Sequence, residues 1–345
     1  MNPFEPASLS PMPKTPVPCL LPYNLTWDDL RSILPGFEPE SNTIQAFSSY
    51  EKQGLNGGAN SCILTLRYLV EENQFRSETI FIKRATDMGS REAQKYLALA
   101  SLDIPTPRLL ADIYKNNAEI ILLEFLPKIG IDFQSAAEVN SLLHLAAQLN
   151  SILNPPEIFG QSGGGIPQAE FDRHVRGALK EIARDRSLPL TVNIPRWFDA
   201  YQIACIACKS MPRAVNHNEF SFQQVGWVQR DGKNQLVIFD LETMSLSPRF
   251  TDIAGILPGL AIYTGQSQND LFKIYFDRLC ELNALELEFD KAFHELRLVQ
   301  VKDAFDSLPW LVDVAKRPDL NRMLDDPLSR CVNTLNDGLV ALGFL

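Results

Sequence analysis

Between residues 217 and 242 the chain carries the pattern that most restricts its fold. Two apolar runs, 224–230 and 234–239, flank Asp231-Gly232, a strong signal for a tight β-hairpin. A hairpin this short doubles the chain back on itself. The carboxylate of Asp240, just past the second run, is therefore expected beside the polar loop His217–Gln224. The surrounding half of the chain has helical periodicity instead. Its spacing predicts helices over 135–153, 170–184, 196–210, 251–264, 268–282 and 287–304.

Ahead of residue 127 the pattern changes. Apolar residues alternate over 62–68 and 79–83 around a polar segment at 71–77, which predicts strand, turn and strand. Ala93, Tyr96, Leu97 and Ala100 then share one helical face, and Pro105 and Pro107 end that helix. Strands follow near 108–114 and 119–125. A short helix from Trp27 has Thr26 as its N-cap. Residues 1–22 hold seven prolines and little periodicity, an extended arm without a core of its own. The expected organisation is α+β: the arm at 1–22, a small β-rich lobe with one main helix at 23–126, and a larger, mostly helical lobe at 127–345.

A chain of 345 residues is long enough for two such lobes. A net charge of −10 excludes a general nucleic-acid binder, which needs a basic footprint, and tolerates a cationic ligand. No run of 18 apolar residues spans a membrane, and the N-terminus lacks the pattern of a signal peptide. The expected location is the cytoplasm. Oligomeric state has no signature here. The pair Cys205 and Cys208 lies within a helical apolar run, where i,i+3 thiols act as small buried hydrophobes.

Chemistry concentrates at a few places. Gly57 and Gly58 precede a strand, where glycines let backbone N–H groups approach phosphate oxygens. Lys83 stands in the apolar strand Ile80-Phe81-Ile82-Lys83, a costly position unless the ammonium is paired or ligand-bound. Nine residues on, Glu92 opens the amphipathic helix. An edge-strand lysine or a surface glutamate would explain either residue alone. The ordered trio of glycine loop, strand lysine and helix glutamate matches the nucleotide-phosphate clamp of kinases. The segment Glu119–Pro127 reads as a strand entering a hinge, with backbone groups near Glu124–Leu126 available to adenine.

Gly57-Gly58-Ala59-Asn60, Lys83, Arg91-Glu92-Ala93, Leu122–Leu126, His217-Asn218-Glu219 with Gln224, and Asp240-Leu241-Glu242 with Pro248 and Asp252-Ile253-Ala254 occur in one order. Together they resemble the aminoglycoside phosphotransferase and choline kinase family over roughly residues 24–310. The resemblance implies a protein-kinase-like two-lobed fold, ATP with Mg2+, and a small-molecule acceptor bearing a hydroxyl. It assigns Gly57, Gly58, Asn60, Lys83, Glu92, Glu124 and Leu126 to the nucleotide. Glu219 becomes the base or hydroxyl-orienting group, Gln224, Asp240 and Glu242 the metal ligands, and His217 and Asp252 the supports of the loop.

Two positions depart from the family's loop, which places Asp where this chain has Glu219 and Asn where it has Gln224. Each longer side chain carries its oxygen outward by about 1.5 Å, one carbon–carbon bond. A misplacement of about 1 Å can cost a hundredfold in a positioned reaction. The alternative is therefore a catalytically impaired relative that binds nucleotide or a partner. Lengthening both positions together fits a widened site better than a decayed one. A protein kinase would carry His-Arg-Asp, Asp-Phe-Gly and Ala-Pro-Glu motifs, which are absent. Trp197, Trp310, Asp303 and Asp306 are candidates for a cation pocket, with core or surface roles as the simpler expectation.

Overall fold

The computed structural model describes residues 21–34, 44–53, 59–71, 74–85, 91–160, 168–184, 193–283, 288–317 and 327–344. Gly57 and Gly58, and almost all of the proline-rich arm, lie outside these. The chain forms two compact units. One holds residues up to Lys128 together with Trp227–Glu242, the other Ile129–Gly226 with the chain from Thr243 onward. The hairpin, assigned from sequence to the helical lobe, therefore packs with the first unit.

The first unit is built on a five-stranded antiparallel sheet. Its strands are β1 (Ile44–Gln53), β2 (Ala59–Glu71), β3 (Gln74–Ala85), β4 (Leu109–Lys115) and β5 (Ala118–Glu124), in the order β1-β2-β3-β5-β4. Alternation in β2 buries Cys62, Leu64, Leu66 and Tyr68 on one face with Ile80, Ile82, Ile120 and Leu122. Helix α1 (Trp27–Arg31) closes that core with Leu30, and its capping box joins Thr26 to Asp29. The turn expected at 71–77 is shorter, because β2 and β3 pair as far as Glu71 and Gln74. Exposed polar residues extend that ribbon, with Arg76 and Glu78 ion-paired at 2.6 Å. Helix α2 (Glu92–Ser101) has no side-chain cap of its own, since Arg91 precedes it at φ 45°. The Glu119 carboxylate of β5 stands beside the Glu92 and Ala93 N–H groups in its place.

The second unit is helical: α3 (Ala136–Asn150), α4 (Gln168–Ile182), α5 (Ile194–Ser210), α6 (Thr251–Thr264), α7 (Gln268–Asn283), α8 (Phe289–Ala315) and α9 (Pro327–Ala341). The long α8 packs against α4, α5, α6 and α9 and runs on through Pro309, well past the expected end at 304. Helix α9 had no counterpart in the sequence reading. It fits closely, since a Cβ on Gly338 would lie 2.7 Å from Val301 Cγ2. Trp197 is buried edge-on to Phe305, whereas Trp310 is exposed. Cys205 and Cys208 are buried thiols on α5, and burial pushes Cys208 up to about 12. Strands here are few: β7 (Arg213–Asn216) pairs antiparallel with β10 (Ser245–Pro248) and fixes the base of the 217–224 loop. The hairpin strands are β8 (Val225–Arg230) and β9 (Lys233–Ile238), and the short β6 (Lys128–Ile129) pairs with β8. Among the described residues no helix is long and apolar enough to cross a membrane.

Candidate active site

In the first unit, β3, α2 and the segment after β9 bring four predicted residues together. The Lys83 ammonium, 6% exposed as a residue, lies 2.7 Å from Glu92, 2.5 Å from Asp240 and 3.3 Å from Glu242. Burial alone would lower the lysine's pKa, but the carboxylates outweigh it and raise it, so Lys83 stays charged. Burial raises the Glu92 carboxyl, with Lys83 pulling the other way. One oxygen each from Glu92, Asp240 and Glu242 falls within a 4.8 Å circle, a spacing that suits a hard cation.

The Asp240–Glu242 segment is held by its backbone as well. Asp240 adopts φ 66°, which favours glycine but is tolerated by aspartate. Its N–H donates to the Tyr96 hydroxyl at 3.0 Å, and the Leu241 N–H donates to Glu92 Oε1 at 3.0 Å. Lys95 Nζ donates to the Leu241 and Glu242 carbonyls at 3.1 and 2.6 Å. Sequence reasoning missed Lys95 and Tyr96. On an amphipathic helix a lysine reads as solvated and a tyrosine as core.

The hinge is partly spoken for. The Glu124 carboxylate accepts from the Arg108 N–H and from Arg230 at 2.9 Å, while its own N–H donates to Arg108 O. Arg230 also reaches Thr106 O, and the Ile238 N–H donates to Pro105 O, so the hairpin is tied to the segment ahead of β4 as well. Leu126 is buried with Val228, Val237 and Phe239. The Glu124 side chain and N–H thus have structural duties, which leaves other backbone groups at 124–126 for a ligand. Asn60 pairs with Gln53 and Arg84 in the sheet; its side chain lies outside the described residues.

The second unit holds the loop. Asp252, at the start of α6, accepts from the His217 N–H at 2.7 Å and the Asn218 N–H at 2.9 Å. Burial pushes its carboxyl up to about 7, against the pull of those two donors. Asn218 sits at φ 66°, the left-handed region, and its amide donates to Thr243 O and Ser245 Oγ, both at 2.9 Å. The Thr243 hydroxyl donates to His217 O. His217 is fully buried, Glu219 exposed. The Gln224 side-chain oxygen accepts from the Ser221 hydroxyl, which folds this amide back onto its own loop.

Beneath the loop runs a buried network absent from the sequence reading. Tyr275 of α7 donates to Asn150 of α3, whose amide donates to Val215 O and to Asn216 Oδ1. That same Asn216 oxygen accepts from the Asp252 N–H. Phe222 packs edge-on to Phe133, which stacks on Tyr263. Asp303 and Asp306 pair with Lys302, at 3.6 and 2.5 Å.

A family profile described as the phosphotransferase enzyme family matches residues 64–299. A comparison with curated proteins gives no significant match. Among solved structures the fold is similar to choline kinase from Cryptosporidium parvum Iowa II, at 12% identity and a TM-score of 0.59, covering 92% of this chain and 96% of that one. Spectinomycin phosphotransferase in complex with ADP and spectinomycin gives 13% and 0.55, over 88% and 95%. A choline/ethanolamine kinase family protein from Mesorhizobium loti gives 14% and 0.52, over 91% and 98%. At these identities the likeness is one of fold.

Proposed function

The chain belongs to the phosphotransferase enzyme family, and from that premise we propose that it moves the γ-phosphoryl group of ATP to a hydroxyl of a small molecule. The observation that carries this reading is the meeting of buried Lys83 with Glu92, Asp240 and Glu242. An all-carboxylate donor set suits Mg2+, and Asp240 and Glu242, the two partly exposed members, would hold it. When bound, the metal neutralises phosphate charge and orients the phosphate oxygens.

The chain's own residues account for the rest. Glu92 keeps Lys83 charged and aimed, so that its ammonium can meet phosphate oxygens as a point charge. Glu219, exposed on its loop, orients the acceptor hydroxyl and takes its proton. The hydroxyl oxygen bonds to the γ-phosphorus as the bond to the bridging oxygen breaks and ADP leaves. His217 and Asp252 hold the loop backbone that carries Glu219. The net charge of −10 is compatible with a cationic acceptor.

The test is ADP release from Mg-ATP with a panel of alcohols that includes choline, ethanolamine and spectinomycin, for which the structural neighbours are named. Asp240→Ala serves as the blank. Turnover that depends on an alcohol and is lost in the blank supports the reading. Metal-independent ATP binding without turnover on any alcohol would replace it with a nucleotide-binding module.

A further inference from the structure

Three side chains on one face of α2, at positions i, i+3 and i+4, engage every backbone polar group that the structure pairs between Asp240 and Glu242. Glu92 and Tyr96 accept the Leu241 and Asp240 N–H groups, and Lys95 donates to the Leu241 and Glu242 carbonyls. The Tyr96 hydroxyl also lies beside the Glu92 carboxylate. Lys95 is 6% exposed, and among the described residues no ion pair joins it to a carboxylate. Its charge is spent on peptide oxygens. An ammonium is costly to bury, so a site that keeps one on two carbonyls gains something specific from the contact.

We propose that Lys95 is a positioning residue: it clamps the Asp240–Glu242 segment in the left-handed turn that presents the Asp240 and Glu242 carboxylates to a divalent cation. Asp240 is held at φ 66°. A non-glycine residue in that region persists only where its surroundings over-determine it. Here the over-determination comes from α2. Glu92 alone cannot supply it, because one of its oxygens is engaged with Lys83. Burial lowers the pKa of Lys95, whereas nearby Glu92 and Glu242 raise it. Its charge also lies close to the very carboxylates that would take the metal.

That proximity makes the proposal decidable by sign. If Lys95 acted only as a nearby positive charge, its removal would tighten binding of a divalent cation. As a clamp, its removal weakens that binding. The inference rests on the phosphotransferase reading for the role of the cation, and its test does not depend on turnover. Mn2+ binding to the full-length protein with ATP is measured by electron paramagnetic resonance for the wild type, Lys95→Met and Tyr96→Phe. Amide exchange of residues 238–243 is followed alongside.

Methionine keeps the length and apolar stem of lysine and deletes the donors. Lys95→Met is expected to weaken Mn2+ binding by about 10- to 100-fold, the range for partners that orient metal ligands. It is also expected to speed exchange of the Asp240 and Leu241 amides. Tyr96→Phe removes a single acceptor and shifts both readouts in the same direction by less. It decides the matter alone should Lys95→Met fail to fold. Unchanged or tighter Mn2+ binding with unchanged exchange overturns the clamp. A wild type that binds Mn2+ and protects these amides, yet phosphorylates no alcohol, overturns the phosphotransferase reading and leaves the clamp standing.

Discussion

Replacing Lys83 with methionine tests whether the four-residue cluster of the first unit is held together by charge. The lysine is 6% exposed and Glu92 is fully buried, so Lys83→Met strands a carboxylate with its closest cation gone. Removing one partner of a buried pair costs about 3–5 kcal/mol, since the remaining charge is uncompensated. Lys95 lies near enough to Glu92 to soften this, which puts the expected loss at the lower end, about 3 kcal/mol. Glu92→Gln removes only one of three acceptors from Lys83 and keeps an oxygen for the Leu241 N–H. Its expected loss is about 1 kcal/mol, that of an ordinary hydrogen bond. The double variant should then be more stable than Lys83→Met alone, because the stranded charge is gone.

The cluster also carries a pH dependence. Burial raises the Glu92 carboxyl, and without Lys83 nothing as close pulls it back. The folded variant holds a proton that the unfolded chain releases above about 4.3, the ordinary glutamate value. The deficit of Lys83→Met therefore shrinks as pH falls toward that value and grows as pH rises through the elevated folded one. Urea unfolding from pH 5 to 8, with amide exchange in α2 to isolate the first unit, measures both effects. A loss below about 1 kcal/mol, with no pH dependence and simple additivity in the double variant, would refute a charge-held cluster.

Three further outcomes are expected. Glu219→Ala should lower turnover of an identified alcohol by about 10²–10⁴, the usual contribution of a general base, with Glu219→Asp in between; equal rates in steady-state assays would remove Glu219 from that role. Asn218→Ala should cost about 1–3 kcal/mol, as it keeps the left-handed backbone but loses the amide donors to Thr243 and Ser245, and thermal unfolding will show whether Asn218→Gly recovers part of this. Asp252 has a folded pKa raised to about 7 against an unfolded value near 3.9, so it binds more protons folded, and stability should fall as pH rises between those values. Denaturant titration across that range should show a flatter profile for Asp252→Asn.

Much of the fold was legible because it is written locally. Alternation at 62–68 and 79–83 became β2 and β3, helical periodicity located α3 to α7, and Asp231-Gly232 turned the hairpin. Weak patterns failed where packing decides. The edge strand β1 is set by its register on β2, and the end of α8 and all of α9 by the surface they bury against each other. Glu119 stands in for a helix cap from a strand, a partnership that no local spacing records.

The sequence by itself determined the order of the chemistry-bearing residues, and with it the resemblance to the family whose profile matches residues 64–299. Tertiary structure alone decided how the Asp240–Glu242 segment is held. Lys95 lies 146 and 147 positions from the carbonyls it binds, and Tyr96 lies 144 from the Asp240 N–H. A buried ammonium and a solvated one are the same letter in a sequence. The difference is the set of carbonyls that the fold brings to it, and those arrive only when the segment after the hairpin meets α2.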